Sequence, residues 1–129
     1  MIKEISIQTR KRNEIIDVTK HVEEEARNVE DGIITAYVPH TTAGITINEN
    51  ADPTVKEDIL KKLSELIPEK DDYKHAEGNS DSHLKATLTG SSATIIVQDG
   101  KLLLGTWQGI MFCEYDGPRT RKMIIKTQK

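Results

Sequence analysis

Apolar and polar residues alternate with the two-residue period of a β-strand along much of the chain. Ile5 and Ile7 share one face of the first such stretch, and turn residues at Asp99-Gly100 and Asp116-Gly117-Pro118 separate the later ones. We therefore expect antiparallel strands, the last three of which form a meander. The predicted strands cover residues 2–8, 14–16, 33–38, 44–49, 93–98, 102–115 and 121–127.

Helical spacing is present in other stretches. A first helix is capped by Asp17 or Thr19 and is predicted to reach about Asn28. Its apolar stripe consists of Val22, Ala26 and Val29. A capping aspartate followed by proline at the first helical position predicts a second helix over residues 53–66.

A third, short helix is predicted from its cap at Asp81 to Gly90, with Leu84 and Leu88 facing inward. Together the elements predict an α+β fold, in which an antiparallel β-sheet or sheets carry two or three packed helices. The 129 residues fit a single domain over 1–129, because domain sizes peak near ~100–150 residues.

Composition narrows the possible functions. The net charge of −3 argues against a general nucleic-acid binder, which normally carries a basic surface. No apolar run approaches the roughly 20 residues of a membrane span, and the first residues lack the apolar segment of a signal peptide. The single cysteine, Cys113, has apolar neighbours and is interpreted as a small strand residue. We expect a cytoplasmic protein with no nucleic-acid or membrane partner.

Three of the four histidines lie in polar stretches, namely His40, His75 and His83. Neutral imidazole is the commonest metal ligand, and it titrates near pH 7. Three such ligands are typical of a catalytic metal site that keeps one position open for water or substrate. Without a metal, the same groups offer acid–base catalysis. The alternative is three solvated loop histidines, since the sequence contains no closed ligand motif.

Acidic and amide side chains near these histidines are candidate partners. Glu49 or Glu77 could act as a base, and Asp81 or Asn79 could orient an imidazole. We group Glu49, Glu77 and Asp81 as catalytic candidates and Asn79 as a substrate-binding candidate.

Two arginines and a hydroxyl pair could bind an anion. Arg119 and Arg121 are two residues apart on an emerging strand, and guanidinium forks suit phosphate or carboxylate. Pairing of these arginines with Glu114 or Asp116 is the alternative. The segment Thr41-Thr42-Ala43-Gly44 could supply hydroxyl and backbone N–H groups to a substrate phosphate.

Four segments resemble the YjbQ-like family, which is described as the secondary thiamine-phosphate synthase family. They are residues 40–49 (HTTAGITINE), 75–85 (HAEGNSDSHLK), 100–110 (GKLLLGTWQGI) and 114–121 (EYDGPRTR). The resemblance covers essentially the whole chain.

The resemblance implies a YjbQ-like α+β fold that assembles as a homotrimer, with a polar pocket near the subunit boundary. It implies that His40, His75 and His83 converge on a divalent metal such as zinc, and it favours Glu49 and Arg119 as pocket residues. Magnesium is the alternative for a pyrophosphate substrate. The implied transferase activity joins a pyrimidine pyrophosphate to a thiazole phosphate and releases pyrophosphate.

These observations predict a metal-binding enzyme acting on a small phosphorylated metabolite, with thiamine phosphate synthesis as a candidate secondary activity. Two alternatives stay open. One is a metal-dependent hydrolase whose metal-bound water is the nucleophile. The other is a non-catalytic trimeric module that binds a metal or a small anion.

Overall fold

The structure, a computed structural model that describes residues 1–129, contains eight strands and three helices. Every strand pair is antiparallel, which confirms the predicted α+β class. The strands are β1 (Ile2–Gln8), β2 (Glu14–Asp17), β3 (Asp31–Tyr37), β4 (Ala43–Glu49), β5 (Ser92–Gln98), β6 (Lys101–Leu102), β7 (Gln108–Glu114) and β8 (Thr120–Gln128). The helices are α1 (Thr19–Ala26), α2 (Pro53–Leu66) and α3 (Ser80–Thr89).

The larger sheet has five strands in the order β1-β8-β3-β5-β6. Ile34 of β3 lies opposite Ile95 of β5, and both side chains are buried on the inner face. The neighbouring pair, Ile33 and Ile96, lies on the outer face, where both are exposed. The period of two along each strand therefore leaves one apolar face inside and a second, partly apolar face outside.

The smaller sheet has three strands in the order β2-β7-β4. Since β7 and β8 lie in different sheets, the predicted meander is wrong, and the strand predicted over 102–115 is two separate strands. The chain turns between them where Gly105 N–H donates to Oε1 of Gln108 over 2.8 Å. The backbone N–H of Gln108 donates in return to the Gly105 carbonyl over 3.1 Å. At this turn the chain passes from β6 in the larger sheet to β7 in the smaller one.

The main core lies between the two sheets and is completed by α1. Ile34 and Ile125 contribute from the larger sheet, Ile45 and Phe112 from the smaller one, and Val22 from the helix. Each of these side chains is at most 1% exposed. Full burial of one such side chain contributes about 1.5–3 kcal/mol, so correct register of both sheets is strongly favoured.

The second helix begins as predicted. Asp52 Oδ1 accepts a hydrogen bond from the Thr54 backbone N–H over 2.9 Å, and Pro53 occupies the first turn. No residue of α2 is fully buried, but Leu60 and Leu63 pack against a second, smaller apolar cluster on the smaller sheet's side of the molecule. None of the three helices is long and apolar enough to cross a membrane.

The third helix packs with a polar side inward. Leu84 and Leu88, which were predicted to face the core, are 46% and 68% exposed. The buried positions are Ser80, Asp81, Ser82 and Lys85. The helix begins after Asn79 and not at an Asp81 cap. Apolar spacing gave the wrong face because ion pairs and hydrogen bonds, described below, hold this helix.

Candidate functional site

Two of the three predicted histidines meet at one surface depression of about 400 Å³. His40 lies on the connection between β3 and β4, and His83 lies in α3. We call this feature the His40–His83 depression. Its remaining walls are Thr41, Ala43, Ala86, Thr87, Gly90 and Ser91.

The depression forms because the start of β4 lies directly against the end of α3. Ile45 N–H donates to the Gly90 carbonyl over 3.0 Å. A Cβ atom on Gly44 would lie 2.6 Å from that same carbonyl oxygen, which is closer than real Cβ atoms approach. Glycine at residue 44 is therefore required for the approach that brings the two histidine-bearing segments together.

A backbone hydrogen bond from β8 selects one tautomer of the neutral His40 ring. Its Nε2 accepts a hydrogen bond from the Lys122 N–H over 2.9 Å, so the neutral ring carries its proton on Nδ1. Burial lowers the pKa of His40, and the positive charge of Arg121 lowers it further. His40 is thus a neutral ring whose Nδ1–H has no protein acceptor.

His75, the third predicted histidine, lies next to His83. The rings of His75 and His83 contact edge to face, with centroids 5.4 Å apart. Nε2 of His75 lies 3.7 Å from the Glu77 carboxylate, which is an exposed pair.

The residues do not fit the predicted three-histidine metal site within one chain. The Nε2 lone pair of His40 is occupied by a backbone N–H, and Nδ1 carries the proton. No group of three or more histidine, cysteine, aspartate or glutamate side chains is placed to hold a metal ion. The expectation that His40, His75 and His83 form one ligand set is corrected accordingly. The expected zinc or magnesium cofactor is a separate question, which the experiment in EDTA described below tests.

Arg121 and Thr42 were predicted to bind substrate, but they are buried parts of the framework. The Arg121 guanidinium forms an ion pair with Glu114, and both side chains are almost completely inaccessible. Its Nη2 also donates to Oγ1 of Thr42 over 2.8 Å. Oε1 of Glu114 accepts a further hydrogen bond from the Thr9 hydroxyl over 2.7 Å. Arg121 therefore fixes the segment that carries His40, and its side chain is almost completely inaccessible to a ligand.

Asp81 was predicted to act in proton transfer, but it is the centre of a second buried ion cluster. Arg12 approaches it with two nitrogens, each 3.0 Å from a carboxylate oxygen. Nζ of Lys85 lies 3.2 Å away. Burial alone would raise the pKa of Asp81, but the hydrogen bonds from Arg12 and Lys85 outweigh it and lower that pKa. Asp81 is therefore a fixed anion that anchors α3, which corrects the catalytic role.

Sequence reasoning missed Arg12 and Lys85. Arg12 lies on the connection between β1 and β2, 69 residues from Asp81 in the chain. The one available signal was the i, i+4 spacing of Asp81 and Lys85, which suits an ion pair on a helix.

The remaining candidates lie outside the depression. Glu49 ends β4, whose seven residues span roughly 20 Å, so it lies at the far end of that strand from His40. Arg119 is half-exposed and pairs with Asp116 over 3.0 Å. Asn79 donates from Nδ2 to that same carboxylate over 2.9 Å. Arg119 therefore pairs with Asp116 and Arg121 with Glu114, which is the alternative to substrate binding that the sequence offered.

Comparison with known proteins gives consistent matches along the chain. The model of the family described as "UPF0047 protein YjbQ-like" matches residues 3–129. A UPF0047 protein of Methanocaldococcus jannaschii is 56% identical, over 98% of this chain and 93% of its own length. The UPF0047 protein YugU of Bacillus subtilis is 51% identical, over 98% of each chain.

Solved structures agree with these matches. An uncharacterised YjbQ/UPF0047 family protein from Clostridium acetobutylicum superimposes with a TM-score of 0.96 at 52% identity, covering 98% of this chain and 99% of that one. A protein from Sulfolobus solfataricus, described as of unknown function, gives a TM-score of 0.94 at 34% identity, covering 98% and 95%.

The function predicted from the sequence is corrected by these findings. The relatives are described as UPF0047 proteins, one solved structure as an uncharacterised protein of that family, and another as a protein of unknown function. None of them describes a thiamine-phosphate synthase, and the chain assembles no metal-binding group. The prediction of a metal-binding thiamine-phosphate synthase, with its metal-dependent hydrolase and metal-binding module alternatives, is therefore wrong.

We predict that Glu114→Gln strongly destabilises the fold, because it leaves the Arg121 charge buried without a counter-charge. The expected loss in free energy of unfolding at pH 7 is about 3–5 kcal/mol, measured by urea denaturation. The matched control is Glu65→Gln, which removes an exposed pair with Lys62 and should cost less than about 1 kcal/mol. Equal losses in the two variants would contradict the structural role given to Glu114.

The same pair makes stability depend on acid. Burial alone would raise the pKa of Glu114, but hydrogen bonds from Arg121 and Thr9 lower it. Its contribution is therefore complete above the ordinary carboxyl pKa of about 4.3 and is lost as pH falls through the lower folded-state value. Unfolding free energy should fall more steeply below about pH 4.5 in the wild type than in Glu114→Gln.

We predict that neutral His40 carries its proton on Nδ1 in solution. Long-range ¹H–¹⁵N correlation spectra should show Nε2 as the unprotonated nitrogen, because that atom accepts from Lys122. The pKa of His40 should lie below the value of about 6.5 expected for the same residue in urea-unfolded protein. A dominant Nε2–H form in the folded state would overturn this description of the ring.

Proposed function

We propose that this chain, which belongs to the YjbQ-like family of UPF0047 proteins, catalyses proton transfer without a metal. The substrate is a small polar molecule that binds in the His40–His83 depression. The observation that carries the proposal is that two imidazole rings with different hydrogen-bonding states line one opening. The His83 ring has no hydrogen-bond partner in the protein. The His40 ring accepts from Lys122 at Nε2, which leaves its Nδ1–H as the donor.

His83 is the group proposed to move the proton. Its ring is half-buried in α3, contacts the His75 ring edge to face and makes no hydrogen bond to the protein. Imidazole is the side chain that most often transfers protons near neutral pH. In the proposed step, a proton passes from substrate carbon to a nitrogen of His83, and the electron pair stays on the substrate as an enolate-like oxyanion.

His40 is the group proposed to stabilise that oxyanion. A neutral ring that donates from Nδ1 can hydrogen-bond to negative charge as it develops on a substrate oxygen. Burial and the nearby charge of Arg121 support this role, since both keep the ring neutral. The hydroxyls of Thr41 and Ser91 in the same wall could orient the substrate.

The substrate class expected from the sequence is a small phosphorylated metabolite, and we retain it as a proposal. Support comes from Arg119, which is half-exposed and close enough to His40 for its charge to lower the pKa of that ring. An anionic group near Arg119 would place the rest of a small molecule beside the two histidines.

The test is solvent deuterium exchange. The full chain is incubated in D₂O and EDTA with a panel of phosphorylated and unphosphorylated small metabolites, and carbon-bound deuterium is measured by NMR. We expect exchange in at least one compound, and His83→Asn should slow it about 10²–10⁴-fold, as for loss of a general base. The matched control, His21→Asn, alters an exposed histidine of α1 and should leave the rate unchanged.

Several results would contradict the proposal. These are the absence of exchange from every compound, an unchanged rate in His83→Asn, or exchange that disappears in EDTA and returns with a divalent metal. The last result would point back to the cofactor expected from the sequence.

For the assembly, we propose the homotrimer that the family resemblance implies. Support comes from the outer face of the larger sheet, where Ile33, Tyr37 and Ile96 are 37%, 45% and 57% exposed. Apolar side chains grouped on one sheet face are typical of a contact between copies of a chain.

Sedimentation velocity tests the assembly. The wild type should sediment as a trimer, and the double substitution Ile33→Asp with Ile96→Asp should release folded monomers, because it places charge on the proposed contact. Leu66→Asp, at an exposed residue of α2, is the control and should keep the trimer. A monomeric wild type would exclude the proposed assembly.

A further inference from the structure

A second cavity, of about 600 Å³, lies at the opposite end of the smaller sheet from the His40–His83 depression. Its walls come from α1, from the turn that links β5 to β6, and from the loop that precedes β7. The volume is in the range of small-molecule sites, which is roughly 300–1,000 Å³. We call it the Arg27–Lys101 cavity, after the two cationic residues in its wall.

The fold places these two cations together through a tight hairpin. Asp99 and Gly100 form the two-residue turn, with φ of 52° and 73°, as this type of hairpin requires. Gly100 N–H donates to the Val29 carbonyl over 2.9 Å. A Cβ atom on Gly100 would lie 2.8 Å from the Arg27 carbonyl oxygen. The turn is thus pressed against the end of α1, and it sets Lys101 beside Arg27.

Neither cation has a carboxylate partner. The other arginines near candidate sites, Arg12, Arg119 and Arg121, all form ion pairs. No salt bridge joins Arg27 or Lys101 to an acidic side chain, although Glu23 lies one helical turn before Arg27 and lines the same cavity. The wall therefore carries two cations and one anion, in a chain whose net charge is −3.

Two amide side chains complete the polar part of the wall. Gln108 uses its Oε1 to hold the loop at Gly105, which leaves its Nε2 free to donate to a ligand. Asn50 uses its Nδ2 to donate to Asp17 over 3.1 Å, which leaves its Oδ1 free to accept. Since one polar atom of each amide is fixed by the protein, the free atom has a defined position.

The apolar part of the wall is formed by Leu102 and Leu104. Both are partly buried and pack against the main core. A ligand that is only a small inorganic anion would leave this apolar surface unused. An organic anion would cover it and gain from burial of its own apolar body.

We propose that the Arg27–Lys101 cavity is a second binding site, separate from the histidine site, for a small organic anion. The carboxylate or phosphate of the ligand pairs with Arg27 and Lys101, and its apolar body lies on Leu102 and Leu104. Gln108 Nε2 and Asn50 Oδ1 supply one donor and one acceptor to polar atoms of the ligand.

The test uses the full chain and three probes: phenyl phosphate, benzoate and inorganic phosphate. Each is titrated into ¹⁵N-labelled protein, and backbone amide shifts are followed. We expect phenyl phosphate or benzoate to shift the amides of Gly100, Gly105 and Thr106, and the tighter of the two identifies the anionic group preferred. Inorganic phosphate should bind more weakly than phenyl phosphate, because it has no apolar body.

The variant Arg27→Gln with Lys101→Gln should weaken binding about tenfold or more, since it removes both charge-assisted hydrogen bonds. The matched control, Lys61→Gln with Lys70→Gln, removes the same charge at two exposed lysines outside the cavity and should keep the wild-type affinity. Three results would each overturn the proposal. They are shifts confined to the region of Ser91, equal weakening of binding in both double variants, and no shifts with either organic probe. The wild-type titration alone maps the site, so the test holds even if the variant folds poorly.

Discussion

The buried ion pair between Glu114 and Arg121 is the interaction on which the rest of the structure depends. Glu114 ends β7 in the smaller sheet, and Arg121 lies near the start of β8 in the larger one, so the pair joins the two sheets. Its hydrogen bonds also reach Thr9 and Thr42, which bracket the pair from the connections after β1 and β3. Removing two charges from water costs several kcal/mol for each ion, and only such complete pairing offsets that cost.

The second ion cluster repeats this arrangement for α3. Asp81 is inaccessible to solvent, and Arg12 and Lys85 satisfy its carboxylate. The position of His83 two residues later is therefore set by electrostatics within the helix's buried face. Each histidine of the depression is thus placed by a separate buried carboxylate, Glu114 for His40 and Asp81 for His83. The depression combines two independently anchored segments, which favours a preorganised site.

The sequence was most informative where one face of an element is apolar. The cap of α2 at Asp52 and the buried stripe of α1 were predictable, because local hydrogen bonding and periodicity determine them. The sheet partners of β7 and β8 were not, since the turn at Gly105 that separates them depends on one side-chain hydrogen bond. Among the site residues, the histidines at 40 and 83 were recognisable by type. The pairing of Arg121 with Glu114 was one of the alternatives that the sequence left open. Burial of Asp81 was not predictable, because its partner Arg12 lies 69 residues away in the chain.

The hydrogen bond from Lys122 to His40 comes from the main chain, and this has a consequence for how the site can vary between proteins. The side chain of residue 122 points away on the outer surface, so almost any amino acid there supplies the same N–H. Substitution at this position would therefore leave the tautomer of His40 intact, with proline as the one exception. The tautomer of His40 thus depends on the register of β8 and not on the side chain at residue 122. A comparison of residue types at this position would therefore not show that the position determines the tautomer.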